Sequence, residues 1–283
     1  METTTQKQEL LKNLNFEVEK VPLYDPQGRK VEKYSLLRRK DTLQVLNICG
    51  SGYEFLQNSE LVDIVLEVLP PSLIDSVTKS GSLHGGRRTY MQFKLKDVSF
   101  NGDTIERYVT ILNSFDGSSS LKIGLGDHVM SCSNQFYRFL RSMEGLSIKH
   151  TNRIKHLKEM LSKYFNTILA YDQTLDITYQ SLYNTPLHDN LIKDLVQYLL
   201  KTDITHELPE SSKVSTLLEC IQVETRQKGH NLWGLFNGVT RYTTHHAPSK
   251  SKSEDNKIFK IMNGSSYKLA NKAFQFVTNQ IGV

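Results

Sequence analysis

The sequence has little sulfur chemistry to offer. Its three cysteines, Cys49, Cys132 and Cys220, lie far apart and show no CxxC spacing. That pattern argues against both a disulfide framework and a zinc site. Buried reduced thiols account for such a set, and these suit a reducing cytoplasm. Long apolar runs are missing too. Leu61 to Leu69 is interrupted by Asp63 and Glu67, and nothing approaches the roughly 20 apolar residues of a membrane span. Met1 to Leu14 is polar, without the apolar core of a signal peptide, so neither secretion nor a membrane partner is expected. Catalytic signatures are also lacking: there is no GxSxG, no phosphate-binding P-loop, no HExxH and no dinucleotide fingerprint after a strand. Gly124-Leu125-Gly126 is a GxG with no third glycine inside a strand-like segment, which fits a bulge or close packing better than a nucleotide loop. No catalytic residue, metal or cofactor is assigned.

What is present is an ordinary globular balance. The 283 residues are 38% hydrophobic and 23% charged, enough to bury a core at the upper end of one domain's size. The expected fold class is α+β: an antiparallel β-meander packed against a long helix, with a helical C-terminal half. Residues 1–45 read as an N-terminal extension with short strands, and residues 46–283 as a single α+β domain. Its meander runs from about 87 to 132 and its helices from about 135 to 283. In that meander Met91, Phe93 and Leu95 alternate with Gln92, Lys94 and Lys96, predicting one buried and one outward face. Asn101-Gly102 predicts a two-residue hairpin because both positions tolerate positive φ. A second strand follows over Thr104 to Asn113, then a turn at Asp116-Gly117 with three serines. Leu121, Ile123 and Leu125 mark a third strand, with Val129 to Cys132 as a candidate extension.

Helical spacing is read at Asn58 to Leu69, capped by Asn58 or Ser59, and at Phe136 to Met143. A longer helix spans Thr151 to Tyr171, where Ile154, Leu157, Leu161, Tyr164, Phe165 and Ile168 share one face. Further helices are expected at 190–201, 211–226, 231–242 and 267–278, with a flexible loop over 245–257. Trp233, the only tryptophan, is expected to be buried between the C-terminal helices and the rest of the core.

Charge is the more suggestive feature. The net charge is +5, which permits nucleic-acid binding without demanding it. Gly85-Gly86-Arg87-Arg88 offers backbone N–H groups and two guanidiniums to phosphate. Lys94 and Lys96 share a predicted strand face, with Arg107 and Lys122 on partner strands. Arg141 to Lys163 holds six Lys and Arg against two Glu, Arg153 and Lys155 among them. Aromatics interleave at Tyr90, Phe93, Tyr108, Phe115, Phe136 and Tyr137. A basic groove with stacking platforms is what a single strand requires, whereas a solvated polar face beside an ordinary core is the plainer account. His230, His245 and His246 lack metal-ligand spacing and read as loop histidines. Asp116 reads as a turn residue, with an oxygen-bound cation as its alternative. A metal-dependent nuclease would need Asp97, Asp103, Asp116 and Asp127 around one cavity.

Several blocks resemble a phage- and plasmid-type family catalogued as a domain of unknown function. They are Asp41-Thr42 with Gly52-Tyr53-Glu54-Phe55-Leu56-Gln57-Asn58, then Gly85 to Arg88, then Asn113-Ser114-Phe115-Asp116-Gly117-Ser118. Cys132-Ser133-Asn134-Gln135 and Asn231 through Tyr242 with His245 follow, and Gly264 and Ala270 close the pattern. The blocks run in order over roughly residues 30–275. The resemblance implies a mobile-element protein in the cytoplasm of a host cell and supplies no catalytic residues. The order of a short helix, an antiparallel meander and a long basic helix is also similar to single-strand annealing proteins such as the RecT-like recombinases. The expected function is thus a mobile-element DNA-binding protein that binds or anneals single-stranded DNA without catalysis. Arg87, Arg88, Lys94, Lys96, Arg107, Lys122, Arg153 and Lys155 are its candidate contacts, and self-association into rings or filaments is implied by the analogy. The alternative is a protein-interaction factor that modulates a host complex or defence system.

Overall fold

The structure is a computed structural model; it describes residues 2–70, 78–139, 147–148, 156–201, 213–247 and 251–282. It is mixed α and β, with antiparallel sheets in the N-terminal half and a helical C-terminal half. The chain divides into two compact units. The first comprises residues 1–95, 108–125 and 139–169, and the second 96–107, 126–138 and 170–283.

The first unit opens with α1 (Glu2–Leu11) and a three-stranded antiparallel sheet of β1 (Val18–Tyr24), β2 (Lys30–Arg39) and β3 (Val45–Gly50), in that order. One side of this sheet closes a small core of Phe16, Val18, Leu37, Leu46, Cys49 and Phe115. Next comes α2 (Asn58–Val68), which buries Leu61, Val62 and Val65. Its first turn is closed from Gln57, whose N–H donates to Glu60 Oε2 at 2.8 Å. Asn58, expected as the cap, instead turns inward and donates from Nδ2 to the Leu14 carbonyl at 3.1 Å.

The second sheet of this unit follows the order β4 (Thr78–Leu83), β5 (Arg88–Lys94), β7 (Asp103–Ser114), β8 (Leu121–Val129) and β10 (Ser147–Ile148). Met91, Phe93 and Leu95 are buried as the alternation predicts. Gln92, expected outside, is buried as well, because the register sets it opposite Thr110 and its Nε2 donates to Thr110 Oγ1 at 3.2 Å. The hydrogen bond makes burial of the amide affordable. Lys94 is half-exposed and Lys96 exposed, on the outward side as expected, although Lys96 lies past the end of β5. The long helix α3 (Leu157–Asn184) begins in this unit and buries Leu157, Leu161, Phe165 and Ile168. Ile154 and the expected start at Thr151 lie outside the described residues.

In the second unit β6 (Val98–Phe100) pairs with the start of β7. Asn101 and Gly102, at φ +47° and +79°, make the two-residue turn that the sequence predicts. Strand β8 pairs with β9 (Asn134–Phe139). This corrects the helix expected from Phe136: residues 134–139 are a strand, and 140–143 lie outside the described residues. Helix α3 runs 13 residues beyond the expected end at Tyr171. It is followed by α4 (Asp189–Leu200), α5 (Lys213–Lys228), α6 (Leu232–Arg241), α7 (Glu254–Asn263) and α8 (Ser265–Asn279). The loop expected over 245–257 is shorter at both ends, and its residues 248–250 lie outside the described residues. Tyr242–His246 continues α6 as a π-helical turn. Helix α7 starts at Glu254, where Ser253 Oγ accepts from the Asn256 N–H at 3.3 Å. Trp233 is buried, its ring centroid 4.8 Å from Tyr179 and 5.2 Å from Phe100.

Candidate functional site

The sequence blocks meet in space, and they do so separately in each unit. In the first unit Tyr53 Oη donates to the Ser114 carbonyl at 3.2 Å, and the Phe55 and Phe115 rings meet edge-on at 6.2 Å. Burial pushes the Tyr53 phenol well above its usual pKa, so it stays a donor. The Phe115 N–H donates to the Arg87 carbonyl at 2.7 Å. Arg88 reaches the turn that follows, with Nη2 3.2 Å from Asp116 Oδ2 and Nε donating to Ser118 Oγ at 2.9 Å. Asp116 Oδ1 accepts from the Ser118 N–H at 3.0 Å. Asp116 is therefore engaged by a guanidinium and by its own turn. The Gly85–Arg88 block enters this brace through a tight turn in which Gly86 sits at φ +100°, with the Phe16 ring 2.9 Å from where a Cβ would lie.

The expected basic contacts divide. Arg87 is exposed, and its Nη2 donates to the Val45 carbonyl at 3.4 Å. Arg88 is mostly buried in the brace. Lys94 is half-exposed at the far end of β5, roughly 20 Å away at about 3.3 Å per residue. Lys122 is half-exposed on β8, opposite Ser147 of β10. Lys163, on α3, is exposed in the same unit. Lys96 and Arg107 belong to the second unit. Arg107 is 1% exposed, with Nη1 2.9 Å from Asp172 Oδ1 and Nη2 paired to Asp176. Its charge is neutralised inside the fold, so it is withdrawn from the candidate contacts. Arg153 and Lys155 lie outside the described residues. By composition the first unit holds 20 Lys and Arg against 15 Asp and Glu, and the second 15 against 15. The whole net charge of the chain therefore lies in the first unit.

In the second unit a polar network runs through the core. Arg138 Nη2 reaches Asp127 Oδ2 at 2.5 Å, Arg138 Nη1 donates to Tyr179 Oη at 2.6 Å, and the Tyr179 hydroxyl donates to Asp127. Burial raises the Tyr179 pKa far above the usual phenol value, so the hydroxyl remains a donor. Burial likewise raises Asp172, against the lowering by Arg107.

A second meeting of blocks lies beside this network. Asn134 Nδ2 donates to Glu224 Oε1 at 3.2 Å and to the Asn237 carbonyl at 3.3 Å. Arg241 Nη1 lies 3.1 Å from the same, fully buried Glu224 oxygen. His245 Nε2–H faces two acceptors at 3.1 Å, the Cys132 carbonyl and Asn134 Oδ1. Desolvation lowers the His245 pKa, which keeps the ring neutral. The π-helical turn lets Thr244 and His245 both reach this strand end, since Thr244 Oγ1 accepts from the Gln135 N–H at 3.0 Å. Gly234 and Gly238 of α6 bring that helix against α5: a Cβ on Gly234 would lie 3.1 Å from Thr225 Cα, and one on Gly238 would meet Ile221 Cα.

The cavity lined by Asp127, Asn134, Tyr179, Trp233, Asn237 and Thr240 measures about 10 Å³, room for one water rather than for a ligand. In the first unit a cleft of about 690 Å³ is lined by Glu67 and Glu159 with Lys158, a mixed set of charges. Among the described residues no three His, Cys, Asp or Glu side chains lie close enough to hold a metal ion, and no helix is long and apolar enough to cross a membrane. Asp116 and Asp127, two of the four carboxylates a nuclease would need, are each paired with an arginine.

These features define an α+β protein whose sequence blocks serve as internal braces. The model of a domain of unknown function, DUF932, matches residues 45–262, and the chain belongs to that family. No curated protein and no solved structure matches the chain.

Proposed function

We propose that the protein binds single-stranded DNA through its first unit, with little preference for sequence, as a component of a phage or plasmid. The observation that carries this reading is the confinement of the net charge to that unit. Arg87 and Lys163 are exposed there, with Lys94 and Lys122 half-exposed. Phosphate contacts made by such side chains release counterions and supply affinity that every sequence shares. The order of antiparallel strands followed by a 28-residue helix is consistent with strand annealing, as an analogy of fold. Arg107 and the braced Arg88 fall outside the proposed contact set.

The test is a fluorescence anisotropy titration with labelled oligonucleotides of unrelated sequence. Micromolar or tighter binding at low salt, similar for each sequence, is the expected outcome. An absence of binding at low salt would sink the proposal. It would leave the reading of a protein-interaction factor that acts on a host complex.

A further inference from the structure

We infer that the outer face of the β1–β2–β3 sheet is a docking surface for a second copy of this chain. The register sets Val21, Leu36 and Ile48 side by side across the three strands. Tyr34 borders this row on one side and Val45 on the other. Ile48 is 56% exposed, Tyr34 52% and Val45 42%. Tyr24 and Leu43, at opposite ends of the sheet, are exposed as well, so five of the eight exposed large hydrophobics among the described residues fall within 25 positions of sequence. Scattered single apolar residues need no explanation, but a contiguous row across a sheet marks an interaction surface. The opposite face of the same sheet is already occupied by the core around Leu37, Cys49 and Phe115.

The charges on the face select the occupant. The row beside the apolar one is Glu19, Arg38 and Val45, and Arg38 Nε lies 2.7 Å from Glu19 Oε1. Both signs are present in equal number. A polyanion would meet Glu19, and a strongly charged protein would find no complementary excess. An isologous interface needs a patch that complements itself. A two-fold rotation supplies that here by setting Arg38 of one copy toward Glu19 of the other, apolar row over apolar row, in the aligned packing of two sheets. Three strands of about seven residues give a face of roughly 14 by 23 Å. That is smaller than the ~800 Å² per partner of a standard stable interface, so the dimer is reversible and depends on concentration.

Sedimentation velocity on the full chain, from submicromolar to high-micromolar concentration, tests the inference. The sedimentation coefficient should rise toward that of a dimer as concentration increases, and high salt should not abolish the rise. Ile48→Lys should weaken association by roughly tenfold or more, because it buries an unpaired charge, and Tyr34→Lys should do the same. Both sites are exposed, so thermal unfolding of each variant is expected to match the parent, which separates lost association from lost folding. A monomer at every concentration overturns the inference, as does self-association that persists unchanged in both variants.

Discussion

Arg107 shows most clearly what one residue's surroundings do to its role. On sequence alone it is one more cation beside a basic strand. In the fold its guanidinium is closed between Asp172 and Asp176, more than sixty positions away. No local pattern announces such a pair, although the buried face of α3 continues past it through Leu175, Tyr179 and Leu182. Replacing Arg107 with Ala should cost about 1.5–3 kcal/mol, the usual worth of hydrogen bonds to a charged group. Urea unfolding would measure that loss, and oligonucleotide affinity per folded molecule should stay unchanged. The thiols give a second test. Cys220 is buried, and burial pushes its pKa up to about 11 from an ordinary 9.0. A raised folded-state pKa means that the thiol's contribution is intact below pH 9 and declines as the pH rises from there toward 11. Native alkylation near neutral pH should label the half-exposed Cys132 well before Cys220 or Cys49. Equal labelling of all three would contradict the packing described.

At the level of elements, turn chemistry was the most legible signal. Asn101-Gly102 and Asp116-Gly117 placed the hairpins correctly because positive φ is a local demand that few residues meet. The elements that differ from the sequence reading do so for separate physical reasons. β9 carries buried residues on both faces, so its aromatic spacing mimics a helix. The polar α7 shows its start only in Ser253 and the acidic residues after it. The resemblance blocks were visible in sequence, but their roles as braces were not, since each works through a partner from another block. Helix α6 offers a test of such a brace. Gly238→Ala would force a methyl group against Ile221 Cα and should destabilise the protein by about 1–3 kcal/mol, the range for overpacking. A chemical denaturation curve showing no loss would mean that the two helices can move apart freely. The link from the π-helical turn to Asn134 is open to a pH test. The His245 pKa lies below its ordinary 6.5, so its contribution is present above pH 6.5 and is lost as the pH falls below it. His245→Gln should flatten that part of the stability profile.

For the whole molecule the claim at stake is where the nucleic-acid interface lies. Family membership fixes the chain's kinship without naming a ligand, and the candidate contacts were only partly legible in sequence, because a list of cations does not say which ones the fold consumes. Salt dependence distinguishes them. On single strands each phosphate contact contributes roughly −0.7 to the slope of log affinity against log salt. The most direct measurement compares that slope in three proteins: the parent, Arg87→Ala with Lys163→Ala in the first unit, and Arg226→Ala with Lys252→Ala, two exposed cations of the second. The first pair should flatten the slope by up to about 1.4 and weaken every sequence alike, while the second pair leaves it unchanged. A slope that responds only to the second pair, or to neither, would contradict the assignment of DNA binding to the first unit.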